Sequence, residues 1–76
     1  MKKKNFLRHL EKIFEQGKNK IDESTKFKTI QLDSLKVLEL MAFNDSNFKS
    51  LKIEPNKITK CNNVAELIKL YGNKIS

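Results

Sequence analysis

The sequence predicts an all-α fold: a small four-helix bundle, with three main helices plus a short third one, and a long loop between helices 1 and 2. Three observations carry this. Apolar residues recur at helical spacing in separate stretches near the two ends of the chain. Only 2 Gly and 1 Pro interrupt 76 residues, so helices have few breaks. At that length, residues 1–76 form one domain with a modest core and no volume for a deep cleft beside it. A composition of 38% hydrophobic and 33% charged residues suits a folded chain rather than a disordered tail.

Phe6, Leu7, Leu10, Ile13 and Phe14 stand at i, i+1, i+4, i+7 and i+8, the stripe of a first helix, with Gly17 as its stop. His9 sits at the edge of that stripe, with nothing near it in sequence to make it a ligand or a base. From Lys18 to Leu32 the periodicity fades, and Ile21, Phe27, Ile30 and Leu32 read as anchors tying a long loop to the core. Leu35–Phe43 reads as the second helix and is apolar over most of its circumference, with Lys36 and Glu39 sharing a face. Such a helix is either central to the core or shows an apolar side to a partner. Pro55 suits the first turn of a short helix reaching about Ile58. Asn63 with Glu66 has the form of a cap and capping box for a last helix through Val64, Leu67, Ile68 and Tyr71, and Gly72 ends it.

Composition also excludes several classes. One cysteine, Cys61, makes no internal disulfide, and a secreted scaffold this small would need several, so a reducing cytoplasm is expected. A lone Cys and a lone His provide no zinc site. Met1-Lys2-Lys3-Lys4 resembles the basic start of a signal peptide, but Phe6-Leu7 runs straight into Arg8-His9 and the apolar stretch is missing. No run is long enough to span a membrane, and a soluble protein is expected. The net charge of +7 points, taken alone, to nucleic acid or an anionic surface. Its distribution says otherwise. Residues 1–30 hold nine Lys/Arg against four Asp/Glu, and residues 49–76 hold six against two. Residues 31–48 hold Lys36 alone against Asp33, Glu39 and Asp45. One central segment is acidic in a basic protein.

Leu32-Asp33-Ser34-Leu35 lies where the long loop enters the second helix. Asp or Ser before a helix is an ordinary N-cap, so the triplet Asp33-Ser34-Leu35 alone is weak. Its setting adds to it. The first helix, the loop with Ile21 and Phe27, the Asp33-Ser34-Leu35 start of a greasy helix, Glu39 and Phe48 downstream, and Ile58-Thr59-Lys60-Cys61-Asn62-Asn63-Val64 follow one another in order. Together they resemble the acyl carrier protein family over nearly the whole chain.

That resemblance implies a cytoplasmic, monomeric carrier that is itself no enzyme. It implies that Ser34 carries a 4′-phosphopantetheine arm, transferred from coenzyme A by a separate phosphopantetheinyl transferase. Acyl groups would ride on the arm as thioesters, loaded and removed by partner enzymes of a fatty-acid-related or dedicated biosynthetic pathway. Asp33, Leu35, Leu38, Glu39 and Ala42 would form the face read by the transferase and other partners. Val37, Leu40 and Met41 are candidates for an acyl groove, or simply core. Members of the family are typically acidic, and Lys36, Asn44, Ser46 and Asn47 stand where acids are common. A dedicated pathway therefore fits better than general fatty-acid synthesis. An aminoacyl or peptidyl carrier using the same serine is the close alternative, although Ile30-Gln31-Leu32-Asp33 lacks the glycine-rich approach usual there. A small basic nucleic-acid-binding helical protein is the alternative from another class, without a recognised motif or aromatic reading face.

Overall fold

The computed structural model describes all of residues 1–76. The chain is all-helical, in the order α1 (Lys3–Ile13), α2 (Phe27–Ile30), α3 (Ser34–Asn47), α4 (Pro55–Thr59), α5 (Val64–Leu70) and a closing 3-10 turn, Gly72–Lys74. It has no strands; the single bridge pairs Lys26 with Asn63. No helix is long and apolar enough to cross a membrane.

α1 buries Phe6 and Leu10 completely, and Phe14 continues the same face beyond its end. The helix stops earlier than Gly17 suggests. Glu15 takes the left-handed conformation (φ 56°), Gln16 N–H donates to Glu11 O at 2.8 Å and Glu15 N–H to Lys12 O at 3.3 Å. This is a Schellman closure, built on glutamate where glycine is the easy choice. Glu11 is the buried polar exception on α1. Its carboxylate meets Arg8 Nε at 3.1 Å and accepts from Ile21 N–H at 3.0 Å, which pins the following loop to α1.

The connection from α1 to α3 is long but ordered by its own contacts. Asp22 accepts from Ser24 N–H and from the Ser24 hydroxyl, forming a local turn, and these bonds hold its carboxyl below the usual range. Three backbone bonds then stitch the loop to the approach of α5: Ala65 N–H to Glu23 O, Val64 N–H to Thr25 O, and Phe27 N–H to Asn62 O. Ile21, Phe27 and Ile30 are buried and Leu32 is half-buried. The loop also contains α2, a single turn that the reading of the sequence as loop did not include. Phe27 and Ile30 at i, i+3 are too few to reveal a period.

α3 runs from Ser34 to Asn47, longer at both ends than the stretch Leu35–Phe43. The C-terminal extension survives a run of weak helix formers because Asn44 is buried, where its Oδ1 accepts from the Tyr71 hydroxyl at 2.6 Å. α4 begins with Pro55 at its first turn. Asn63 caps α5 by accepting from Glu66 N–H at 2.9 Å, while the Glu66 carboxylate accepts from Asn62 N–H, one residue before the position a capping box would use. Gly72 (φ 59°) ends α5 as expected, in a conformation suited to glycine.

The core joins Phe6, Phe43, Phe48 and Tyr71 edge-on or tilted, with ring centroids 4.9–6.1 Å apart. Leu40 of α3, Ile58 of α4, and Val64 and Leu67 of α5 complete it. The two termini meet, Lys3 N–H donating to Ser76 O and Ser76 N–H to Met1 O.

Candidate functional site

The start of α3 divides two roles between neighbouring residues. Asp33 is extended (φ −123°, ψ −178°), and its Oδ1 accepts from Lys36 N–H at 2.9 Å, so the aspartate is the N-cap. Ser34 is the first helical residue and lies exposed. Its hydroxyl makes no hydrogen bond within the protein, and neither its own N–H nor that of Leu35 has a partner. The cap is therefore complete without the serine. Ser24 differs, since its hydroxyl is held by Asp22 at 2.6 Å.

The left-handed Gln31 (φ 58°) turns the chain out of α2 towards Ser34. No base stands ready to activate the serine. His9, the one histidine, packs on Phe43 with centroids 4.9 Å apart, and Phe43 is nine residues along α3, about 13 Å up the helix axis. The Cys61 thiol is buried, lies 3.4 Å from Lys57 O, and is pushed above its ordinary pKa by burial and then by the Glu66 charge. It is protonated and shielded at neutral pH, unlike a nucleophilic cysteine. No group of His, Cys, Asp and Glu is placed to hold a metal ion.

Beyond Ser34, α3 has two unlike sides. Leu35 and Leu38 are 60% and 63% exposed, the two large apolar side chains left in solvent. Glu39, Ala42 and Asp45 are exposed too, and with the leucines they follow i, i+3, i+4, i+7 and i+10. Asp33 adjoins this face, its carboxylate engaged in the cap. On the other side Val37 and Leu40 are buried in the core and Met41 is half-buried. Met41 lines a surface depression of about 290 Å³ shared with Leu51 and Ile53, and Val37 and Leu40 do not.

Lys36 does not point along the exposed face. Its amine donates to Ile13 O at 2.8 Å and to Glu15 Oε2 at 3.1 Å, with Glu39 Oε2 at 3.7 Å. The hydrogen bond to Glu15 holds the amine above its ordinary pKa. Lys36 thus caps the carbonyl end of α1, as a cation near a helix C-terminus should. The outer face of α3 consequently keeps an acidic and apolar character despite a lysine in its sequence. Nothing in the spacing of Lys36 announces this. The Arg8–Glu11 pair and its backbone partner Ile21 are likewise seen only in the structure, although Arg8 and Glu11 stand at i, i+3.

Comparison with known proteins finds no matching family model, no matching curated protein and no matching solved structure.

Proposed function

We propose that this chain is a carrier protein of the acyl carrier type, with Ser34 as the attachment point for 4′-phosphopantetheine. The observation that carries the reading is the division of labour at Asp33 and Ser34. Asp33 completes the cap, leaving an exposed hydroxyl with no structural task at the N-terminus of a long helix. The free N–H groups of Ser34 and Leu35, with the positive end of the helix dipole, favour a phosphodiester there. The chain needs no base of its own, because a transferase using coenzyme A and a divalent cation would take the serine proton. The arm, once attached, supplies a thiol on which acyl groups are held as thioesters.

In this reading the helices form a four-helix carrier bundle of α1, α3, α4 and α5, with α2 as one turn inside the long connection. Leu35, Leu38, Glu39 and Ala42, flanked by Asp33, present the docking face. Its acids attract basic partner surfaces and set encounter rates, while the leucines supply buried contact. Val37 and Leu40 would have to part from the core to admit an acyl chain, whereas Met41 already borders a depression. The protein acts as a monomer in the cytoplasm, serving a fatty-acid-related or dedicated pathway. An aminoacyl carrier remains a second reading on one observation. Gln31 adopts the left-handed conformation that favours glycine, so the missing glycine does not separate the two carrier types.

Nucleic-acid binding is less well supported. All five Phe and Tyr71 are buried or half-buried, leaving no exposed ring on which bases stack. The test is intact mass after incubation with a broad-specificity phosphopantetheinyl transferase, coenzyme A and Mg²⁺, beside Ser34→Ala. The expected result is one added phosphopantetheine, absent in the variant. A folded wild-type protein that gains nothing would reject the proposal.

A further inference from the structure

Between α2 and the junction of α4 with α5 lies a depression of about 610 Å³, a size that suits a small ligand. Lys26, Lys28 and Gln31 border it from the α2 side, and Thr59, Asn62 and Asn63 from the junction. No carboxylate lines it, and neither lysine is paired with an acid anywhere in the protein. The side-chain amides of Gln31 and Asn62 make no hydrogen bond. The Asn63 amide nitrogen is also free, since only its oxygen is engaged, by Glu66 N–H. The Glu66 carboxylate is occupied by Asn62 N–H and does not line the depression. The site therefore offers two cations and several unengaged donors, with an apolar part of its lining that includes Leu32. That combination recognises an anion with a short apolar stem.

Its position gives it a source for that anion. Leu32 lies two residues before Ser34, no more than about 7 Å along the backbone. A flexible arm on Ser34, longer than that span, has the reach to fold back to this point. A tethered group experiences an effective concentration on the order of millimolar, so a weak site suffices to hold it. We infer that the depression bounded by Lys26, Lys28, Gln31 and Asn62 holds the distal carboxylate of a short dicarboxylic acyl group carried on Ser34. The inference rests on the carrier reading and narrows the cargo to acyl groups with a second acid.

The test is a set of backbone amide NMR spectra of the full chain. Ser34 is loaded enzymatically with amide-linked succinyl-pantetheine or butyryl-pantetheine, which match in length and differ in the terminal carboxylate. The unmodified chain is titrated separately with succinate and with inorganic phosphate. The expected result is a shift of residues 26–31, 62 and 63 in the succinyl form that is absent in the butyryl form. The difference should vanish in Lys26→Gln/Lys28→Gln, whose remaining spectrum reports that it is folded. Free succinate should move the same amides at higher concentration, and more than phosphate does. Identical succinyl and butyryl spectra would overturn the inference while leaving the carrier role intact. Tighter binding of free phosphate than of succinate would also overturn it, reassigning the depression to a phosphoryl ligand. Failure of Ser34 to load at all would remove both this inference and the carrier reading, and the mass measurement reports that outcome separately.

Discussion

α1 and α3 pack against one another over the same core, yet they treat their apolar residues differently. α1 sends Phe6 and Leu10 inward, with Glu11 its one buried charge, and leaves Lys4, Asn5 and Lys12 outside. α3 buries an asparagine, Asn44, at 5% exposure while leaving Leu35 and Leu38 more than half exposed. The arrangement of α1 is explained by folding alone, since burying a large apolar side chain contributes roughly 1.5–3 kcal/mol. The outer leucines of α3 contribute little of that. Scattered exposed leucines are ordinary, but these two are the molecule's only large exposed apolar side chains, one helical turn apart, beside a serine with no structural task. The comparison separates residues that make the fold from residues the fold presents.

The largest effect sharpens this separation. Leu10→Ala removes a fully buried side chain and should lower unfolding free energy by about 2–5 kcal/mol, whereas Leu38→Ala should stay within about 0.5 kcal/mol of wild type. Urea denaturation of both variants checks the pair, and comparable losses would break the contrast. Next is the polar contact that α3 buries. Asn44→Ala leaves the Tyr71 hydroxyl buried without its partner and should lose about 1–3 kcal/mol in the same assay.

The leucines themselves come third. In Leu35→Ser/Leu38→Ser the melting temperature should hold, while kcat/KM for phosphopantetheinyl transfer drops about tenfold, or 1.4 kcal/mol. Transfer kinetics equal to wild type would remove the docking face from the account. The cap follows. Asp33→Ala should lower stability by about 1 kcal/mol, reporting the hydrogen bond to Lys36 N–H, and Ser34→Ala should not, because its hydroxyl has no partner.

The last prediction concerns alkali. Cys61 and Tyr71 are raised, chiefly by burial, from ordinary values of 9.0 and 10.0, and Lys36 is raised from 10.5 by its hydrogen bond to Glu15. In each case the folded state holds the proton more tightly than the unfolded chain. Stability is therefore full below the unfolded values and falls as pH rises past about 9. Thermal melts followed by circular dichroism should show a steady decline there, and a flat profile to pH 11 would contradict these assignments.

Much of the fold was legible in the sequence where a single period governs. The stripes of α1 and α5 and the cap at Asn63 follow from spacing and from local hydrogen bonding. The limits appeared where tertiary contacts overrule local preference. Glu15 rather than Gly17 turns the chain after α1, because the Schellman bonds stabilise a strained residue. α3 continues through Asn44 because Tyr71, 27 residues later, gives that asparagine a partner. In the candidate site, Asp33-Ser34-Leu35 was legible as either a cap or an attachment point. Which residue caps was not, since both have suitable side chains and only the backbone geometry assigns the role to Asp33. The inward turn of Lys36 was likewise hidden, because a lysine's long stem lets its charge settle on either side of a helix.

The measurement that bears most directly on the central claim is the location of the modification. After incubation with transferase, coenzyme A and Mg²⁺, tandem mass spectrometry of the proteolysed protein should place one phosphopantetheine on Ser34. Ser24, Ser46, Ser50 and Ser76 should remain unmodified. Modification spread over several serines, or none on a folded protein, would contradict the account and reduce Ser34 to the first residue of an ordinary helix.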